Sequence, residues 1–195
     1  MLIRTKRIKL RNIRGIFRAK DGISAVEFAL IAPLMMLMYF ACIELSLMMV
    51  LDRKVTSSAS TLGDLTARAS IVSNDDLDDI FQATRMIMQP NDMTTARMRI
   101  SSLYDDDGIV RVSWSQSCKL TPYTEDAAIT VPANLVPSGG TVILAEVEYD
   151  YNSTLGYLFT TSKTLSEDFY LRPRRVEEVT RPDGEADYTC SQFAS

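Results

Sequence analysis

A chain of 195 residues with a formal net charge of −4 has room for one ordinary folded domain beside one further segment, and hardly for two independent cores. It contains no histidine, which removes the commonest general base, the histidine-based triads and most zinc sites, so enzymatic chemistry is not expected. The charge is uneven: residues 1–22 carry Arg4, Lys6, Arg7, Lys9, Arg11, Arg14, Arg18 and Lys20 against Asp21 alone, a net +7 that leaves −11 for the rest.

No nucleic-acid-binding fold or interleaved aromatic residues accompany this basic run, and an apolar stretch follows at once. Residues 1–22 therefore read as a cytoplasmic flank and not as a nucleic-acid contact. From Ile23 to Leu51 the chain is almost wholly apolar, interrupted by Glu27, Pro33 and Glu44, and exceeds the roughly 20 residues that a spanning helix needs. Met48-Met49-Val50-Leu51-Asp52 offers no small-residue cleavage site, which argues against a secretory signal. With the basic flank inside, everything after Asp52 is expected in the periplasm of a bacterial inner-membrane protein.

Val55, Ala59, Leu62, Thr66 and Ala69 recur at alternating spacings of four and three. This amphipathic stripe continues the membrane helix to about Ser70, as a stalk over 52–73 that packs on the domain or on a neighbouring subunit. Ser73-Asn74-Asp75-Asp76 reads as a cap with acids in the first turn of a second helix, Asp75–Met88, stopped by Pro90. The period then changes. Ala96–Tyr104 and Ile109–Ser117 alternate around Asp105-Asp106-Asp107-Gly108 as a hairpin, Thr141–Tyr151 is rich in β-branched and aromatic residues, and Lys163–Leu171 is the last strand. Residues 176–195 hold little that fills a core and are expected to be a tail. The fold class is α+β: a long N-terminal transmembrane helix continuing into a periplasmic stalk, then a short helix and a small antiparallel sheet spanning 74–175.

Two features of the apolar stretch call for explanation. Glu44, about 31 Å along a helix that starts at Ile23, sits near the far interface and either snorkels to headgroups or meets a partner group. Pro33 frees a carbonyl inside the helix, so a kink or local loosening is expected. The Asp105–Asp107 cluster with Gly108 lacks the twelve-residue calcium pattern and reads as a solvated turn; no metal site and no cofactor are expected. Cys118 and Cys190 are too far apart in sequence for a CxxC motif, and if the region after Asp52 is exported, a Cys118–Cys190 disulfide is the natural inference, with Cys42 in lipid as a packing residue.

Lys20-Asp21-Gly22-Ile23-Ser24-Ala25-Val26-Glu27 resembles the processing site of type IV prepilins: a basic leader ending in Gly, then an apolar helix whose fifth residue is Glu. Cleavage between Gly22 and Ile23 would free an α-amine one turn from Glu27, which in a low-dielectric assembly would pair with the amine of an adjacent subunit, or else merely caps the helix at headgroup level. With Phe28, the run Glu27-Phe28-Ala29-Leu30-Ile31-Ala32-Pro33 resembles the TadE-like family, pseudopilin-type proteins of the tight-adherence (Flp-type) pilus machinery. The resemblance implies a substrate of a membrane prepilin peptidase, with other pilins, pilus-assembly proteins and membrane lipid as partners, serving surface adhesion and biofilm formation. Flp major pilins are much shorter than the 173 residues left after Gly22, so a minor or accessory subunit fits better. A membrane-anchored periplasmic binding or sensor protein is the alternative, which an uncut precursor would favour.

Overall fold

The structure, a computed structural model, describes residues 22–92, 94–153, 156, 162–182, 184–185 and 188–190. The expected leader over 1–22 lies outside these residues except for Gly22. Helix α1 runs from Ile23 to Arg68 and α2 from Asn74 to Met88; strands β1 (Ala96–Asp106), β2 (Ile109–Cys118), β3 (Thr141–Tyr151) and β4 (Lys163–Leu171) follow. The chain divides into a unit ending at Ile43 and a unit from Glu44 onward.

In the first unit no described residue is buried. Phe28 is 72% exposed and Leu30 74%. The segment Ile23–Ile43 measures about 31 Å at helical rise, close to the thickness of a bilayer's hydrocarbon core. α1 is thus one helix long and apolar enough to cross a membrane. Within the stretch expected to span the membrane, Glu44 and Leu51 are buried in the second unit while Met49 and Val50 are exposed.

In the second unit all strand pairs are antiparallel, in the order β2-β1-β3-β4. Asp107 and Gly108 close the β1–β2 hairpin with φ of 49° and 90°, the left-handed pair that a two-residue turn requires. One cluster joins Leu51, Val55, Ala59 and Leu62 of α1 and Leu77, Ile80 and Phe81 of α2 to alternate residues of the sheet. The stripe read as a stalk is therefore an inner face of the domain itself. Gly63 faces the strands closely: a β-carbon there would collide with Leu171 Cδ1 and stand 3.3 Å from Ala145 Cβ, so any side chain at this position requires Leu171 to move aside.

α2 starts with a capping box. Ser73 Oγ accepts from the Asp76 amide at 3.2 Å while Asp76 Oδ2 accepts from the Ser73 amide at 2.9 Å, satisfying two donors that the helix leaves open. The Ser73 hydroxyl also donates to Asp76 Oδ2 at 2.7 Å, and this bond, followed by that of the Ser73 amide, holds the Asp76 carboxyl below its usual range.

The opposite face of the sheet is covered at one end by the β2–β3 loop, whose Tyr123, Ile129 and Val131 pack on Leu103, Val112 and Leu144. At the other end it is polar. Arg97 pairs with Glu148 at 3.0 Å and Asp150 at 2.7 Å, and Arg99 with Glu146 at 2.5 Å. Arg99 also lies over the Tyr123 ring, 3.7 Å from its centroid. Burial, followed by the neighbouring Glu146 charge, pushes the Tyr123 hydroxyl up to about 12.

The segment from Val176, expected to be a tail tied down if Cys190 is bridged, also contributes to the core. Val179 is fully buried, Val176, Tyr188 and Cys190 pack against the main cluster, and Tyr188 stacks on Phe81 with ring centroids 5.7 Å apart. Cys190 is disulfide-bonded to Cys118, with Cα atoms 5.3 Å apart. The segment carries apolar side chains at irregular spacing between prolines, so no period announces them; residues 191–195 lie outside the described residues.

Candidate assembly site

α1 begins at Ile23 directly after Gly22, and both residues are exposed. The Gly22–Ile23 bond therefore stands at the start of α1 on exposed residues. Glu27 follows one turn later. It is exposed, and among the described residues it makes no hydrogen bond or ion pair. Its carboxylate projects from a surface otherwise made of Val26, Phe28, Leu30 and Ile31, all more than half exposed.

Pro33 lies nearly three turns in, exposed, in a helix that continues through it. Lacking an N–H, it leaves the Ala29 carbonyl without its helical donor. Cys42 is exposed and not disulfide-bonded.

Glu44 belongs to a different environment. It is 1% exposed, and its Oε1 accepts a hydrogen bond from Ser153 Oγ in the β3–β4 connection; Ser153 Oγ in turn accepts from the Gly156 amide at 2.9 Å. Of the two sequence readings, snorkelling to headgroups is overturned, because the carboxylate is covered by protein. The group it meets lies in the same chain. A buried carboxylate that accepts hydrogen bonds fixes the loop opposite it, since leaving either partner unsatisfied costs more than the bond is worth.

The sequence residues thus sort into two sets. Gly22, Ile23, Glu27, Phe28 and Pro33 line the open helix, whereas Glu44, Cys118 and Cys190 hold the domain together. Ser153 and Gly63 went unnoticed in the sequence; Gly63, a glycine inside a striped helix face, was the available signal for close packing. Asp105 braces turns, accepting from the Gly108 amide at 3.1 Å and the Gly139 amide at 3.0 Å. No group of three or more candidate metal ligands occurs among the described residues.

Residues 22–62 match the model of a family described as TadE-like protein. This is the family that the Glu27–Pro33 run resembles, and the matched segment takes in the open helix and the first part of its buried continuation. No curated protein and no solved structure matches the chain.

Proposed function

We propose that the chain is a pseudopilin or minor pilin of the tight-adherence (Flp-type) pilus system, cut between Gly22 and Ile23 by a membrane prepilin peptidase. α1 holds it in the bacterial inner membrane, and the domain from Glu44 onward stands in the periplasm. The observation that carries this reading is the TadE-like match, which begins at Gly22 itself, one residue before the apolar helix starts.

The physical case follows the charges. The +7 leader stays on the cytoplasmic side and sets the orientation. Its removal leaves a helix whose amine and Glu27 are one turn apart, and between subunits in a low-dielectric assembly each satisfies the charge of the other. The role is structural: the chain is a substrate of the peptidase and a partner of other pilins and pilus-assembly proteins, and it works in surface adhesion and biofilm formation.

Intact mass of the membrane-extracted protein from cells with and without the peptidase tests the reading. The chain should lose residues 1–22 only where the peptidase is present, and Gly22→Val should abolish the loss. A protein that still begins at Met1 in competent cells overturns the proposal in favour of an unprocessed, membrane-anchored sensor.

A further inference from the structure

The segment that follows β4 crosses the helical side of the domain as a long irregular strap. Its root is fixed: the Arg174 amide donates to the Ala67 carbonyl at 2.9 Å, and its guanidinium pairs with Asp64 at 2.6 Å. Further on it lies along the α1–α2 connection, with the Val72 amide donating to the Thr180 carbonyl at 3.0 Å. The indole Nε1 of Trp114 donates to the Val179 carbonyl at 2.7 Å. Tyr188 then stacks on Phe81 and donates to Asp78 Oδ1 at 2.6 Å, and two residues later Cys190 closes the circuit to Cys118.

We propose that residues 172–182 together with Tyr188 and Cys190 form a redox-locked strap, closed over Val72, Phe81 and Trp114 by the Cys118–Cys190 disulfide and released by its reduction while the sheet stays folded. Two observations place the opening here. Between the strap and the rest of the domain the backbone hydrogen bonds are those of Arg174, Val72 and Thr180 among the described residues, whereas β1 is bonded along both edges; segments with few backbone bonds open first. Val179 is held beside the Thr180 backbone bonds, whereas Tyr188, stacked on Phe81, is two residues from Cys190 and beyond the last of those bonds, so the covalent bond holds the part of the strap that the backbone does not.

Closure joins the two sulfurs while two protons and two electrons pass to an oxidant of the disulfide class, which leaves as two thiols; release is the reverse, with a dithiol as reductant. For its oxidant in the cell the device rests on the proposed periplasmic placement of the domain. There it makes completion of the Phe81 face a consequence of export: the chain keeps an open, apolar face until it meets an oxidising compartment.

The test uses the full chain in detergent micelles in a Cys42→Ser background, with and without a dithiol. The chain's single tryptophan is the reporter. On reduction, Trp114 emission should shift to the red and the Val72 and Thr180 amides should exchange at least about tenfold faster, with β1 and β3 amides unchanged. Cys190→Ser should reproduce this without reductant. Unchanged emission and exchange once both thiols are titrated overturns the proposal, and so does loss of protection throughout β1 and β3, which would make the disulfide a staple of the whole domain. Because neither readout depends on cleavage at Gly22, failure here and failure of the pilin reading are separate results.

Discussion

α1 follows opposite packing rules along its length. From Ile23 to Ile43 its bulky side chains are the exposed ones, with Leu34 61% and Tyr39 65% exposed. From Glu44 to Arg68 the buried positions include Ser58, Ala59, Gly63, Thr66 and Ala67, residues chosen for smallness. Apolar content alone would rank the first stretch as the core. Burial by protein follows what lies close enough to cover a residue, and a sheet that approaches within van der Waals contact admits small groups, whereas a bilayer takes large ones without any matching of shape.

The sharpest way to break this contrast is to delete one large ring on each side of it. Phe81→Ala, at a fully buried site, should lower domain stability by about 3–5 kcal/mol; Phe28→Ala should leave it unchanged. Denaturant titration followed by Trp114 fluorescence measures both, and a comparable loss for Phe28 would show that the first stretch has a protein partner within the chain. Next in size, Glu27→Gln should be processed normally yet weaken incorporation into an assembly by about 3 kcal/mol per contact, the lower end for breaking a buried ion pair. Assembly equal to wild type in a co-purification assay would return Glu27 to the role of a headgroup-level cap.

The smallest effect lies in the capping box. Ser73→Ala should cost about 1 kcal/mol near neutral pH. The Asp76 carboxyl is held below the ordinary aspartate value in the folded chain, so the folded state binds its proton less readily than the unfolded state. The stability it contributes is present above that value and lost as pH falls through the lowered native one. Thermal melts of wild type and Ser73→Ala should therefore converge in strong acid; a gap independent of pH would assign the cost to the Ser73 hydroxyl alone.

What the sequence made legible was whatever repeats. β3 and β4 have the ends that alternation predicts, and α2 differs by one residue at its start, because a two-residue or 3.6-residue period is itself the imprint of a one-sided core. The motif at Gly22 and Glu27 was equally readable, being local in sequence. Two things were not. The strap was read as a tail, because Val176, Val179 and Tyr188 follow no period. Ser153 meets Glu44 across 109 residues, and a single hydroxyl in a loop advertises nothing about so distant a carboxylate.

The β1–β2 hairpin contains one residue more on β2 than on β1: Ser102 pairs with Trp114 and Leu103 with Val112, leaving Ser113 over. This extra residue resets the phase of β2, so that Trp114 joins the helical cluster while Val112 joins the cluster under the β2–β3 loop. Without it, one of the two would point to the wrong side. The even-numbered residues of β2 thus face the β2–β3 loop before Ser113 and the helical cluster after it, so that one inserted residue lets a single strand serve both cores.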